Sequence, residues 1–567
     1  VAIHHSLSEQ FKGLVWFVVL TTMSPLAMAA VIDINTDSNT PQTLVNTDIL
    51  NVASGVSLTS TSATPTITWN GASGSGPVVN NLGNIRNIFD TGSESGRAIN
   101  MNFNGNSSFT LNNGSASNSF ASIVSGNDVF RINKSIGSGT VVVNNYGTLQ
   151  STGANGDTNG QALDFNANSS STGSVTINNF SSGVMTAADA DAIRPGKIST
   201  INNWGSISGN TTGDSGNDGI DYQDAGKSGS FNNYGSTSSI TGARHGITAK
   251  EAITIYNEGV IKGFGGSGLN IDNTSNSPIM QVTNAASGRI IGNPVSGADA
   301  DGIDIDRLGA IVNRGQISAL GIAGGTSFNE AIAIGGGSID NFLGGLIYSD
   351  QRAITVDDSN LGNAFAAMEI YNEGVITGAN GEAIHMTSSF ANMLTNKGEI
   401  NGSIVMGGGD DTVKFYTDAL QNGFLDGNDG SDTLELLGNG VGLLGNARNI
   451  ETLRIDGGNW SFDGDQDYHF GSFILDDAEL SLGGSASIFV ASISGADILG
   501  DKVLNITGNG RDIFYDAKQS SNDYLGGQWY HLANGGMLKP IPEPHAMALL
   551  LAGLGLLGLV RSRTKSN

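Results

Sequence analysis

The chain has 567 residues, with 52 acidic against 26 basic side chains, a formal net charge of -26, 82 glycines and no cysteine. A phosphate backbone needs clustered Lys and Arg, so this balance argues against nucleic acid as a partner, and it suits solubility outside a cell and attraction for divalent cations. With no disulfide to hold it, the fold must rest on backbone ladders and a long core.

The first 29 residues read as a signal peptide. Lys12 precedes the apolar stretch GLVWFVVL from Gly13 to Leu20, and Ala27-Met28-Ala29 supplies small residues where a signal peptidase reads. Cleavage is expected after Ala29 or Ala30. Residues 30–95 are taken as an N-terminal cap with the first coils.

Residues 96–406 repeat. Asn-x-Gly recurs at Asn81/Gly83, Asn145/Gly147, Asn203/Gly205, Asn233/Gly235, Asn257/Gly259, Asn313/Gly315, Asn372/Gly374 and Asn396/Gly398, and IYNEGVIKG from Ile255 is nearly repeated as IYNEGVITG from Ile370. A small residue followed by an aliphatic one recurs between these units, as in Ala98-Ile99, Ala192-Ile193, Gly219-Ile220, Gly246-Ile247, Gly302-Ile303, Ala331-Ile332 and Ala353-Ile354. Copies lie roughly 22 to 34 residues apart, the period of a solenoid. Short alternating segments such as AITIYN from Ala252 meet Asn and Gly, which tolerate the left-handed backbone of a sharp corner. Helical periodicity is almost absent away from the termini. The fold class is therefore all-β, a parallel β-helix expected to be right-handed, with Ile or Leu ladders inside and an Asn ladder at one corner.

Three groups of residues carry candidate chemistry. Tyr146, Trp204 and Tyr234 each sit inside an Asn-x-Gly unit, so they share a repeat position and line one edge, either as glycan contacts or as corner packing. ADADAI from Ala188, GNDGID from Gly216 and ADADGI from Ala298 place Asp191, Asp218 and Asp301 in one column, which also holds Arg97, Gln161, His245, Arg352 and Glu382. Mixed charges along a column suggest a solvated face. In residues 407–480, GGGDDTV from Gly407 and GNDGSDTL from Gly427 approximate the calcium nonapeptide, which makes Asp410, Asp411, Asp429 and Asp432 candidate calcium ligands or, alternatively, acidic turns without metal. Repeats of the INNxGxI and YNEGVITG type, followed by IETLRIDGGNWSFDG from Ile450, resemble the passenger region of autotransporter adhesins. That resemblance implies the β-helix. No series of amphipathic strands for an outer-membrane barrel follows Tyr515.

Residues 481–539 read as a β-rich C-terminal cap, and residues 540–567 as an address. Pro542-Glu543-Pro544 precedes an unbroken apolar run from Ala546 to Val560, and Arg561, Arg563 and Lys565 follow directly. The tail resembles the PEP-CTERM sorting signal of Gram-negative bacteria. By that resemblance an exosortase processes the chain near Pro542-Glu543-Pro544, a hydrophobic helix holds it in the membrane beforehand, and the setting is exopolysaccharide and biofilm. The run is shorter than the roughly 20 residues a permanent span prefers.

The expected protein is thus exported to the cell envelope, surface or extracellular matrix and works by binding or scaffolding in an adhesin-like manner, with no cofactor required and calcium possible. The alternative is a polysaccharide-cleaving β-helix enzyme, a lyase or glycoside hydrolase using clustered carboxylates. DGID at Asp218 and Asp301 and RHGI at Arg244 touch on pectin-hydrolase motifs, but the later Asp-Asp and Arg-x-Lys motifs are missing.

Overall fold

The computed structural model describes residues 29–542, apart from 71–73, 75, 90–95, 103–104, 154–159, 211–215, 223–225, 295–298, 325–326 and 360–361. The expected signal peptide, and the sorting signal from Glu543 onward with Arg561 and Arg563, lie outside these residues. No helix among the described residues is long and apolar enough to cross a membrane.

Each coil is built from three short strands. In one coil they are Ser199–Asn203, Ser206–Ser208 and Ile220–Tyr222, and each pairs in parallel with its counterpart one coil earlier and later. Successive strands thus form long parallel ladders in two sheets, since Val375–Met386 runs through both the second and third strand positions of its coil and joins those rows. The described residues form an all-β parallel solenoid. Its pairing already begins at Val31–Ile34, which docks on Ile49–Val52. Among the described residues, antiparallel strand pairs occur near the C-terminal end, at Ile498–Leu499 with Lys502–Thr507 and at Tyr530–Ala533 with Met537–Pro540, beside a 3-10 turn at Ser520–Leu525.

Because a strand's side chains alternate between faces, every second residue enters the core, and parallel register stacks like on like. Ile220 lies on Ile247, Ile247 on Leu269, Leu269 on Ile303, Ile303 on Ile332 and Ile332 on Ile354, all fully buried. The Asn-x-Gly asparagines point inward too. From Asn81 to Asn396 each amide Nδ2 donates to the Oδ1 of the next, at 2.8 Å per step, over 24 to 34 residues of chain.

The glycine of the motif serves a different purpose from the one its sequence suggests. Among these glycines only Gly235 has a left-handed backbone (φ 82). At Gly205, Gly315 and Gly374 a Cβ would lie 2.2 Å from a carbonyl oxygen of the preceding coil, so glycine is needed for close approach between coils rather than for a left-handed corner.

Candidate functional site

The residue before each small-aliphatic pair forms a polar column along one face. From Asp191 to Asp301 its side chain accepts the backbone N–H of the corresponding residue in the next coil. Asp191 Oδ1 accepts from Asp218 (2.7 Å), Asp218 Oδ1 from His245 (3.1 Å), His245 Nδ1 from Ser267 (2.8 Å), Ser267 Oγ from Asp301 (3.1 Å) and Asp301 Oδ1 from Glu330 (2.7 Å). The column therefore satisfies donors at a corner that the sheet ladders leave open. His245 must be neutral to accept at Nδ1, in keeping with a pKa pushed down to about 3 by burial and then by Arg244.

The two halves of the column differ in charge balance. In the first half the acids meet guanidinium groups. Asp128 binds Arg97 (2.9 Å) and Arg131 (3.3 Å), Asp191 binds Arg194 (2.7 Å), and the fully buried Asp218 is clasped by Arg244 through Nε (3.0 Å) and Nη2 (2.8 Å). Arg131 and Arg194 occur three residues after their column acid. Three residues after Asp301 the same position is Asp304, and three after Glu330 it is Ala333, with Asp304 and Ala333 register partners on adjacent coils. Neither position carries a guanidinium, and the alanine beside Asp304 leaves the face hollow.

The result is a cleft of about 320 Å³ lined by Asp299, Asp301, Asp304, Ser327, Phe328, Glu330, Ala333, Thr355, Asp357 and Ser359. Burial, then neighbouring carboxylates, push Asp301 and Asp304 well above the ordinary carboxylate range. Burial raises Glu330 to about 7 against Thr355 Oγ1, which donates to it at 2.8 Å, and against Arg352 at 3.8 Å. Arg352 is itself committed to Glu382 at 2.8 Å. Asp299, Asp301 and Glu330 bring one oxygen each within 4.8 Å of one another, the one cluster of three such side chains among the described residues with the spacing to hold a metal ion. Without a cation, carboxyls this close disfavour one another's ionised form, and one held protonated near neutrality is suited to general-acid work.

Of the column positions read from sequence, Asp191, Asp218 and Asp301 do stack in register with His245 between, but only Asp301 enters the cleft. Glu330 and Asp299 lie outside the DGID motif, whereas Asp304 is its fourth residue. Glu330 was accessible from the repeat, since it precedes Ala331-Ile332 as Asp301 precedes Gly302-Ile303.

The four acidic-turn residues lie on adjacent coils, their 21-residue spacing being one turn of the solenoid. Gly408 bridges to Asp429, and Thr412 pairs with Thr433. Asn392 N–H donates to Asp411 Oδ1 (2.6 Å), Asp411 N–H to Asp432 Oδ1 (2.8 Å) and Asp432 N–H to Glu451 Oε2 (2.7 Å), while Asp410 Oδ1 takes Ser431 N–H (3.0 Å). Asp411 and Asp432 thus continue a backbone-capping ladder. Their Oδ2 atoms are buried without a hydrogen-bond partner, and burial raises Asp411 to about 7 and Asp432 to about 6.

A second edge combines amides with rings. Outward-facing asparagines form a row in which Asn51 donates to Asp33, Asn80 to Asn51, Asn112 to Asn80, Asn144 to Asn112, Asn178 to Asn144, Asn202 to Asn178 and Asn232 to Asn202, at 2.8 to 2.9 Å. Beside it the half-buried rings Tyr146, Phe180, Trp204 and Tyr234 stack on successive coils, with centroids 4.0, 5.6 and 5.0 Å apart and interplanar angles of 11°, 7° and 23°. The inner faces of Tyr146, Trp204 and Tyr234 are thus covered by neighbouring rings, with Phe180 completing the run. No family model, no curated protein and no solved structure matches this chain.

Proposed function

We propose that this protein is exported by a Gram-negative bacterium to its envelope, surface or extracellular matrix, where the solenoid binds or scaffolds exopolysaccharide. The observation that carries this reading is the amide row running beside a ridge of stacked rings. Each outward amide spends one N–H and its oxygen within the row, which leaves its second N–H and second lone pair for sugar hydroxyls, and the ridge supplies apolar edges. Within this reading the coil is right-handed, as parallel crossovers are. Signal peptidase and an exosortase process the two ends, and calcium is an optional stabiliser near Asp411 and Asp432.

The test has two arms. Purified protein should retain exopolysaccharide, and Trp204→Ala with Tyr234→Ala should weaken retention at unchanged melting temperature; equal retention by this variant would remove the ridge from the reading. Mass spectrometry of both termini after cell fractionation should place the ends near Ala29 and Pro542, and recovery with Arg561 and Arg563 intact would contradict the sorting step.

A second reading is polysaccharide cleavage in the acidic cleft, favoured by Glu330, raised to about 7, with the carboxyls of Asp299 and Asp301 close by. It expects oligosaccharide release that Glu330→Gln or Asp301→Asn abolishes and Asp218→Asn leaves intact.

A further inference from the structure

The ring ridge stops abruptly. Register places Gly114 one coil before Tyr146 and Leu82 one coil before Gly114, because Asn81, Asn113 and Asn145 are direct partners. The position that carries a ring in the next four coils therefore carries no side chain at Gly114. Nor can it easily gain one: Gly114 has φ +80, and a Cβ there would lie 2.6 Å from Asn118 O and 3.2 Å from Tyr146 Cβ. Two coil spacings, roughly 9.6 Å, separate the levels of Leu82 and Tyr146, and the turn from Ser115 to Asn118 edges the space between them, its Asn118 Nδ2 donating to Leu82 O at 3.0 Å. A groove of about 630 Å³ opens here, lined by Leu82, Tyr146 and Phe180, by Gly114 with the turn residues Ser115 and Ala116, and by outward amides including Asn80, Asn112 and Asn144.

We propose that this gap is a subsite for a single neutral sugar ring, which takes the place of the missing aromatic side chain. The inference rests on the polysaccharide-binding reading and gives it a location. The sugar's apolar face stacks on the free face of Tyr146, the other side packs against Leu82, and its hydroxyls meet the second N–H groups and lone pairs of Asn112 and Asn144. A floor of amides selects a hydroxyl-rich ring over an apolar one, because an apolar occupant would cover those groups without satisfying them. The competing occupant is an aromatic side chain from a second copy, and Phe120, 92% exposed nearby, is the residue to supply it.

The experiment is saturation-transfer NMR on the full chain with neutral gluco-, galacto- and manno-oligosaccharides, run beside exopolysaccharide retention and sedimentation. Two variants act on the gap from opposite sides: Tyr146→Ala removes the platform, and Leu82→Trp, at a residue 39% exposed and outside the stack, fills the space. Both should weaken oligosaccharide binding by about tenfold or more, equivalent to about 1.4 kcal/mol, with melting temperature unchanged for Leu82→Trp. Binding unchanged in both, with retention intact, would overturn the subsite and leave the broader reading standing. A wild type that retains no polysaccharide would overturn both. Self-association that Phe120→Ser dissolves, without sugar binding, would assign the gap to a second copy instead.

Discussion

Asp411 and Asp432 show how one residue can be structural and still chemically unsettled. One oxygen of each caps a backbone N–H, while the other is buried with no partner. Asp411 ionises near 3.8 when unfolded and near 7 in the fold, so between those values the native state holds more protons than the unfolded one. Its contribution to stability is then greatest below about pH 4 and falls as pH rises through the window to about 7, Asp432 adding a similar loss that ends near 6. Asp411→Asn should flatten that pH dependence and raise the melting temperature at pH 8, since Asn392 already fills the preceding rung with an amide. If calcium lies between the two free oxygens, a hundredfold excess over Kd should add about 2.7 kcal/mol at pH 8, and the Asn variant should lose that increment. Melting curves identical in chelator and millimolar calcium would leave only the capping role.

Asp218 is the opposite case, a buried acid whose charge is answered. Arg244→Met would strand a carboxylate with no exposure and should cost about 3–5 kcal/mol in urea unfolding. Adding Asp218→Asn should recover most of it, because the amide oxygen can still accept His245 N–H. If Arg244→Met proved neutral, the division of the column into answered and unanswered acids would not hold.

At the scale of the element, the two asparagine rows differ by one position in the strand and entirely in consequence. Asn313 faces inward, accepts from Asn284 and from Gly315 N–H, and donates to Asn341. Asn202 faces outward, half-buried, with water able to replace a lost partner. Orphaned buried groups cost about 1–3 kcal/mol each, so Asn313→Ala should destabilise by about 2–4 kcal/mol, and Asn202→Ala by less than about 1 kcal/mol. Similar losses from both would mean that burial does not set the strength of the ladder. The Asn-x-Gly spacing made the inner row legible in the sequence, as the small-aliphatic pairs did for the Ile220–Ile354 core, because one repeat position maps to one place on every coil. The reason for the glycine was not legible, since a carbonyl 2.2 Å from a hypothetical Cβ belongs to a coil some two dozen residues away. Nor was the cleft, which depends on Asp304 and Ala333 standing side by side on adjacent coils; motif spacing within one repeat carries no record of a hollow formed across two.

Across the whole molecule, a solenoid with a parallel ladder from Val31 to Pro540 presents two edges of different chemistry along one axis. One is acidic and deep enough to shield a proton at Glu330; the other is neutral, long and shallow, suited to a chain of sugars held at many points, where modest individual contacts multiply into retention. The central claim is that the neutral edge holds polysaccharide and the acidic cleft does not cut it. Light scattering after size-exclusion chromatography of exopolysaccharide incubated with the purified protein measures both together. Co-elution of protein with polymer of unchanged molar mass is the predicted result. A falling molar mass that Glu330→Gln prevents would contradict it and make this protein an enzyme.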